Sequence, residues 1–217
     1  DFEFMEAFIK NKEQAKLLEY KNYISQRIEE IKDSKTVVSV EKKEWKEFFL
    51  KDIFEEIQRG KRLKKSDHKK GNMPYISSTE LNNGVDSYVG NREKVRIFSD
   101  CLTIANSGSV GSCFYHPYKF AASDHVTKLK NNKLNQYSYK FISSMVKRLG
   151  SKYSFNREMN DRRIKKEKIL LPVNNNKEPD YNYMENYMKQ LEYKKLKEYM
   201  KAKGINNEKL ETSQTSA

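Results

Sequence analysis

Two stretches of the chain have the apolar spacing of long, mostly solvent-exposed helices. The first runs from residue 3 to residue 35, and the second runs from residue 179 to residue 203, between a Pro-Asp start signal and Gly204. The apolar positions of the first are Leu17, Tyr20, Ile24, Ile28 and Ile31. Those of the second are Met184, Tyr187, Met188, Leu191, Leu196, Tyr199 and Met200. Because lysine and glutamate fill most remaining positions, each apolar stripe is narrow, which predicts a coiled-coil partner rather than a sheet.

Between residues 45 and 174 the pattern changes to short apolar runs separated by Gly, Asn, Ser and Asp. Examples of these runs are Pro74-Tyr75-Ile76, Cys101–Ala105 and Ile169–Val173. This pattern is typical of strands joined by turns. One helix is predicted inside it, at 137–149, where Phe141, Ile142, Met145 and Leu149 share a face. The fold class predicted is mixed α/β (α+β), and the polar tail at 204–217 is predicted to be disordered.

The start of each predicted helix is a copy of the other. Residues 1–20 and 180–199 share nine identities at a fixed offset, and Phe is exchanged for Tyr at three further positions. One repeat unit is therefore a helix followed by a whole domain, and the chain contains one period of an arrangement that normally has two.

The composition indicates a class of binding partner. The chain has 43 Lys+Arg against 30 Asp+Glu, a net charge of +13 and a pI of about 9.4. Nucleic acid is the first candidate partner, because phosphate contacts supply most of its non-specific affinity for proteins. The alternative explanation of the charge is that the proteins of the source organism are lysine-rich in general.

Cysteine usage and hydropathy restrict the remaining classes. Cys101 and Cys113 lie in predicted strands with no further cysteines, which favours buried free thiols over a zinc cage or disulfide framework. No apolar run has the ~18–20 residues that a membrane helix needs, and no signal peptide is recognisable. We therefore expect a cytoplasmic protein that has no contact with a membrane.

Three short motifs suggest chemistry that their surroundings do not support. Asn72-Met73-Pro74-Tyr75 approaches the NPPY loop of amino-methyltransferases, but no glycine-rich cofactor loop accompanies it. Asp180 with Glu192 and Lys194 resembles the metal-dependent nuclease pattern, but the last two lie on a predicted helix instead of adjacent strands. Gly108–Gly111 lacks the Lys-Ser/Thr of a nucleoside-triphosphate loop, which leaves a DNA phosphate contact or a plain turn. No catalytic residue, metal or cofactor is predicted.

The consecutive trio Ser123-Asp124-His125 cannot form a catalytic triad, whose members converge from separate positions. A polar network or a contact with a base edge is the interpretation that remains open. Two basic clusters, at 59–65 and 156–166, could supply phosphate attraction, and Arg and Asn can also bind guanine and adenine edges bidentately. Solvated charged surfaces are the alternative.

The order of several stretches resembles the DNA-specificity (S) subunits of type I restriction-modification systems. They include Leu50–Glu55, Met73–Ser78, Asn82–Val85, Leu102–Ala105 and Ala122–Val126, followed by Leu171-Pro172-Val173 and the helix after Pro179-Asp180. The resemblance implies a target recognition domain at 45–174, a spacer helix at 1–36 and a second one at 179–203, with the two helices in an antiparallel coiled coil. Such subunits bind one half of a bipartite double-stranded DNA site per domain and catalyse nothing themselves.

The resemblance also implies partners and contact residues. The implied partners are adenine methyltransferase (modification) subunits, a restriction/translocase subunit, and a second copy or second half-subunit joined through the helices. The residues predicted to contact DNA are Arg59, Lys61, Arg62, Lys64, Ser77, Ser78, Asn82, Asn83, Ser107, Ser109, Ser123, Asp124, His125, Arg157, Asn160, Arg162 and Arg163. The residues predicted to pair the helices are Leu17, Tyr20, Ile24, Ile28, Ile31, Met184, Met188, Leu191, Leu196 and Tyr199. Two alternatives stay open: the recognition part of a fused type II restriction-modification enzyme, and a basic coiled-coil scaffold that binds no specific sequence.

Overall fold

The computed structural model describes residues 1–153 and 158–203. Its helices are α1 (Phe2–Ile31), α2 (Leu50–Ile53), α3 (Gln136–Lys147), α4 (Asp161–Lys166) and α5 (Tyr181–Ala202). Its strands are β1 (Trp45–Phe49), β2 (Glu56–Arg59), β3 (Met73–Ile76), β4 (Val85–Val89), β5 (Arg96–Phe98), β6 (Cys101–Ala105), β7 (Cys113–His116), β8 (Phe120–Ala122), β9 (Val126–Lys130) and β10 (Lys168–Pro172). The predicted mixed α/β class is confirmed. Arg157 and the tail at 204–217 lie outside the described residues.

The described chain divides into two compact units. A helical unit consists of residues 1–37 and 186–203, and a globular unit consists of residues 38–185. The helix α5 begins in the globular unit, and its residues from Asn186 onward belong to the helical unit.

The two helices of the helical unit pair in antiparallel directions. Ile24, Ile28 and Met200 are buried together, with Tyr193, Leu196 and Tyr199 packed against them. Tyr20 makes an edge-to-face ring contact with Tyr199 at 5.4 Å, and Arg27 Nε lies 2.7 Å from Glu192 Oε1. Higher numbers in α1 therefore meet lower numbers in α5, as two antiparallel helices require.

Three residues predicted to pair the helices lie elsewhere. Leu17 is 49% exposed and lies one turn before Tyr20, which contacts Tyr199. Leu191 is 40% exposed; it precedes Leu196 by five residues, which places it about 140° away around a helix of 3.6 residues per turn. Met184 is buried but belongs to the globular unit.

The sequence repeat gives both helices the same N-terminal cap. The Asp1 carboxylate accepts a hydrogen bond from the Phe4 N–H at 3.2 Å, and the Asp180 carboxylate accepts one from the Tyr183 N–H at 2.9 Å. An aspartate that satisfies the third N–H of a helix is a preferred cap. The first helix ends at Ile31, four residues before its predicted end, in a turn in which the Ser34 N–H donates to the Ile31 carbonyl.

The globular unit contains two four-stranded sheets that pack face to face. One has the order β2-β9-β6-β7 and is antiparallel throughout, and the other has the order β4-β3-β8-β5 with one parallel pair, β3 and β8. Ile76, Phe98 and Phe120 of the second sheet are buried in one cluster with Cys101 and Val126 of the first. The opposite face of the second sheet carries a second buried cluster, Tyr75, Val89 and Ala121, so all three residues of β8 are inaccessible to solvent.

A third sheet and α3 complete the globular unit. β1 pairs antiparallel with β10, which joins the beginning and the end of the predicted recognition domain. The helix α3 lies against β7, where Tyr139 stacks on Tyr115 at 5.2 Å and the Ser143 hydroxyl donates to the Cys113 carbonyl at 2.8 Å. The predicted helix at 137–149 is thus confirmed, continued by a 3₁₀ turn from Arg148 to Lys152.

Several buried polar groups bear on stability instead of chemistry. Cys101 and Cys113 are free, and burial raises the pKa of each thiol to about 12, so the prediction of buried thiols is confirmed. His116 is fully buried with its Nε2 2.8 Å from the Thr103 hydroxyl, and burial lowers its pKa from 6.5 to about 4. Among the described residues, no helix combines the length and hydrophobicity of a membrane span.

The first prediction concerns the helix pair. Ile24→Asp should lower the free energy of unfolding of the pair by roughly 3 kcal/mol or more, because it removes a buried side chain and places a charge there. Urea unfolding followed by circular dichroism at 222 nm measures the loss. Gln26→Asp adds the same charge at an exposed position of α1 and should stay close to wild type. Equal stability of the two variants would show that the apolar stripe is not buried.

The second prediction concerns acid stability. Below pH 6.5 the unfolded chain binds a proton at residue 116, whereas the folded chain does not until about pH 4. The wild type should therefore lose stability relative to His116→Gln by about 1 kcal/mol per pH unit across this window as pH falls. Urea midpoints of both proteins between pH 7 and pH 4.5 measure the difference. A difference that does not change with pH would contradict a neutral, buried imidazole.

Candidate nucleic-acid interface

The strands of both sheets end together, so the globular unit has two opposite ends. At one end lie Arg59, Ile76, Ala105 and Ala122, the last residues of β2, β3, β6 and β8. The loops that follow these four strands, together with the start of α4, form what we call the loop edge. Most of the residues predicted to contact DNA lie here.

Backbone contacts bring these loops together. The Lys61 N–H donates to the Ala122 carbonyl at 2.9 Å, and the Ser123 N–H donates to the Ile76 carbonyl at 2.9 Å. The Ser109 N–H donates to the Ser78 carbonyl at 3.0 Å, and the Asn106 N–H donates to the His125 carbonyl at 2.8 Å. Four loops that are distant in sequence therefore form one continuous polar surface.

Arg59 is held in place by neighbours that the sequence did not indicate. Its Nε lies 3.3 Å from an Asp161 carboxylate oxygen, which also accepts from the Thr127 hydroxyl at 3.1 Å. With its amide oxygen turned toward Arg59, the buried Asn106 accepts from Nε and Nη2 at 3.1 and 3.2 Å. The Arg59 side chain is 35% exposed, so part of its guanidinium remains accessible beside this network.

The trio Ser123-Asp124-His125 forms a polar turn. The buried Ser123 hydroxyl accepts from the His125 N–H at 3.1 Å, and the exposed His125 ring places Nδ1 2.6 Å from the Ser107 hydroxyl. His125 Nε2 lies 3.8 Å from an Asp124 oxygen. The interpretation as a polar network is confirmed, and the edge of the His125 ring stays on the surface.

Asn82 and Asn83 project from a strained turn. Both have positive φ values, 48° and 54°, and Gly84 follows at 84°. Asparagine tolerates this left-handed conformation better than most residues, which explains an Asn-Asn-Gly sequence here. The two side chains are exposed, and the Ser77 N–H, which donates to the Gly84 carbonyl, connects the turn to the loop edge.

The turn at 108–111 depends on its glycines. Gly108 has a φ of 60°, and a β-carbon there would lie 2.8 Å from the Ser78 hydroxyl oxygen. Gly111 has a φ of 85°, and a β-carbon there would lie 2.5 Å from the Gly150 α-carbon. The interpretation as a tight turn is confirmed, and Ser107 and Ser109 are half-buried on either side of Gly108.

The second basic cluster is divided between two tasks. The Asn160 side-chain oxygen caps α4 by accepting from the Arg163 N–H at 3.0 Å, and Arg163 Nη1 donates to the Glu158 carbonyl at 2.6 Å. Arg162 is exposed and lines a separate groove with Phe49, Lys51, Lys165 and Lys166. Asn160 therefore has a structural role, and its contact with DNA stays a prediction. The groove that Arg162 lines does not include Arg59 or Asp161.

The remaining cations of the first cluster are simply exposed. Lys61, Arg62 and Lys64 follow Arg59 on the surface, whereas Leu63 between them is half-buried against Tyr75 and Val89. Burial raises the pKa of the Tyr75 hydroxyl, which lies 3.5 Å from the Leu63 carbonyl oxygen. This arrangement fixes the loop while its charged side chains point to solvent.

The residues suspected of nuclease chemistry have structural partners. Asp180 caps α5 and lies 2.7 Å from Lys43 Nζ, and Glu192 pairs with Arg27. Within residues 1–153 and 158–203, no cluster of three or more His, Cys, Asp or Glu side chains could hold a metal ion. What the loop edge offers is hydrogen-bonding groups and positive charge.

Comparison with known proteins identifies the family of the chain. A family model described as "Type I restriction modification DNA specificity domain" matches residues 42–201. The specificity subunit S.BcgI of a type II restriction enzyme from Heyndrickxia coagulans is 33% identical over 198 residues, covering 89% of this chain and 55% of that protein.

Solved structures share the fold. The S subunit of a type I restriction-modification system from M. genitalium superposes with a TM-score of 0.53 at 17% identity, covering 87% of this chain and 51% of that one. The HsdS subunit from Thermoanaerobacter tengcongensis gives a TM-score of 0.50 at 13% identity, covering 86% and 50%. The chain spans about half the length of these relatives. Since the family model covers most of the chain, the protein belongs to the type I restriction modification DNA specificity domain family.

Proposed function

We propose that the chain is the sequence-specific DNA-recognition part of a restriction-modification specificity subunit. The observation that carries the proposal is the convergence of separate polar and basic loops on one end of the globular unit. Family membership and the net charge of +13 support it. Such a surface can combine phosphate attraction with hydrogen bonds to base edges.

The contacts divide by chemistry. Lys61, Arg62 and Lys64 are exposed cations that would bind phosphates, which positions the duplex without reading its sequence. Asn82, Asn83 and His125 are exposed groups that can donate to and accept from base edges. The half-buried serines at 77, 78, 107 and 109 can donate hydrogen bonds to phosphates or to base edges.

The helical unit would act as a spacer. The contacts of Tyr20 with Tyr199 and of Arg27 with Glu192 support an antiparallel coiled coil, whose length would set the distance between two half-sites. The chain itself would catalyse nothing. It would direct adenine methyltransferase (modification) subunits and a restriction/translocase subunit to the DNA site.

A type II system is the second candidate. The 33% identity with S.BcgI, the specificity subunit of a type II restriction enzyme, favours it specifically. DNA recognition by the loop edge is common to both candidates. They differ in the partners that methylate and cut.

The sequence repeat supports a second globular unit at the start of α1. In the copy at Asp180, Tyr183 and Met184 are buried at 5% and 0% exposure, and the Tyr183 hydroxyl donates to the Val38 carbonyl at 3.1 Å. The equivalent Phe4 and Met5 are 67% and 50% exposed. We propose that the globular unit of a second copy covers them, giving a homodimer with two half-site readers.

The third prediction concerns DNA. Lys61→Ala with Lys64→Ala should weaken binding to every duplex alike. The negative slope of log affinity against log salt should become less steep by about 2, because each lysine-phosphate contact releases about one counterion. His125→Ala should instead reduce the preference for a site selected from random duplexes. Fluorescence anisotropy with competitor DNA measures both.

Lys140→Ala, an exposed change on α3, is the control for the DNA experiment. If wild-type protein bound random and selected duplexes equally well at one salt concentration, the chain would be a non-specific basic scaffold. That result would end the recognition proposal.

The fourth prediction concerns assembly. Phe4→Glu with Met5→Glu should shift the protein from dimer to monomer, because two charges would enter an apolar contact. Sedimentation equilibrium measures the shift. Asn11→Glu with Gln14→Glu adds the same charge at exposed positions of α1 and should leave the dimer intact. A wild-type protein that stays monomeric at tens of micromolar would refute the homodimer.

A further inference from the structure

The end of the globular unit opposite the loop edge carries a basic groove. It lies where β4, β5 and β9 end, at Val89, Phe98 and Lys130, and has a volume of about 840 Å³. Among the described residues that line it are four cations and one carboxylate: Arg92, Lys119, Lys128, Lys130 and Glu56. None of the four cations belongs to the surface proposed to bind DNA.

Strand geometry places the cations of β9 in this groove. Side chains two positions apart lie on the same face of a strand, so Lys128 and Lys130 share the face of Val126. Val126 is buried between the two sheets with Phe98 and Phe120. The space between the sheets therefore continues outward from an apolar interior into a cationic opening.

Lys128 is held in position by two neighbours. Its side chain is only 8% exposed, and its Nζ lies 2.5 Å from Glu56 Oε2 and 4.6 Å from the centroid of the Phe98 ring. The hydrogen bond from Lys128 lowers the pKa of the Glu56 carboxyl, which is therefore ionised at neutral pH. Glu56 consequently cancels much of the charge of Lys128.

The other three cations retain their charge for a ligand. Arg92 and Lys119 are exposed, Lys130 is half-buried, and none of the three forms an ion pair within the described part of the chain. They lie beside apolar groups, since Met73, Ile97 and Phe98 also line the groove and Ile97 is 42% exposed. The groove thus offers charge and an apolar wall together.

The groove is too far from the loop edge to be part of it. From Val126 to Lys130 the strand β9 advances by roughly 13 Å, at about 3.3 Å per residue. The volume of the groove is that of a small-molecule site, which is typically about 300–1,000 Å³. A duplex lying on the loop edge would leave this end of the unit free.

We infer that the groove binds the phosphate groups of a nucleotide-sized ligand, with the remainder of the ligand against Met73, Ile97 and Phe98. Lysine ammonium groups are common phosphate ligands, and one phosphate group concentrates more negative charge than a single carboxylate, so several cations around one groove favour phosphate. Three of the four cations are lysines. The inference does not depend on DNA recognition at the opposite end.

Calorimetry on the full chain at low salt tests this, with pyrophosphate, ADP, a six-nucleotide single strand of DNA and hexaglutamate as separate probes. The combined variant Arg92→Ala, Lys119→Ala, Lys130→Ala should bind pyrophosphate and ADP at least about tenfold more weakly, because it removes three attractive charges. Lys10→Ala, Lys21→Ala, Lys140→Ala removes the same charge from exposed positions elsewhere and should bind like wild type.

Glu56→Gln distinguishes a binding site from a structural one. It removes the carboxylate that opposes phosphate and frees Lys128, so affinity for pyrophosphate and ADP should rise by about threefold or more. Unchanged or weaker binding in this variant would overturn the inference, as would equal losses in the two triple variants. Binding of hexaglutamate as tight as that of pyrophosphate would show an acidic-peptide site, and binding of the six-nucleotide strand alone would show a strand site. Either result, or no binding of any probe by the wild type, would refute the proposal.

Discussion

The loop edge depends on the backbone of Ala122 and Ser123. This short segment accepts from Lys61, donates to Ile76 and pairs with Arg96 across β5 and β8, so loops from both sheets meet at it. The approach is so close that a β-carbon on Gly60 would lie 2.1 Å from the Ser123 carbonyl oxygen. Only glycine can occupy that position without moving the backbone. A larger residue at position 60 would push the first basic cluster away from the Ser123–His125 turn.

Many polar side chains of the loop edge have hydrogen-bond or ion-pair partners inside the protein. Ser123 and Asn160 accept backbone hydrogen bonds, and Arg59 is fixed by Asn106 and Asp161. Loops with little apolar content need such bonds, because unpaired polar groups are costly to bury. The side chains left exposed, such as Lys61, Asn82 and His125, are therefore presented by a rigid surface. A surface that is already ordered loses less conformational entropy when it binds a partner, which strengthens binding.

The sequence predicted those features that depend on local pattern. Helical spacing located Ile24 and Ile28, short apolar runs between turn residues indicated the strands, and the repeat of Asp1 at Asp180 marked two helix starts. Contacts across long distances in sequence were not predictable. Arg59 and Asp161 are about one hundred positions apart, and nothing in their spacing indicates that Asn106 joins them. Similarly, Lys128 and Lys130 alternate with Thr127 and Leu129 in a strand, and only the sheet packing reveals a groove beside them.

The internal repeat provides a comparison that a single sequence rarely offers. Two segments with the same cap and nearly the same apolar side chains occur in different surroundings, and only the copy at Asp180 has a ring and a methionine buried, those of Tyr183 and Met184. Helix propensity cannot account for the apolar residues of the other copy, because phenylalanine is an ordinary helix former and exposed apolar side chains gain nothing from water. Burial by another surface can account for them, since about 25 cal/mol is gained for each Å² of apolar area removed from water. Among the described residues no surface buries the apolar start of α1, in contrast to the burial of Tyr183 and Met184 at the start of α5.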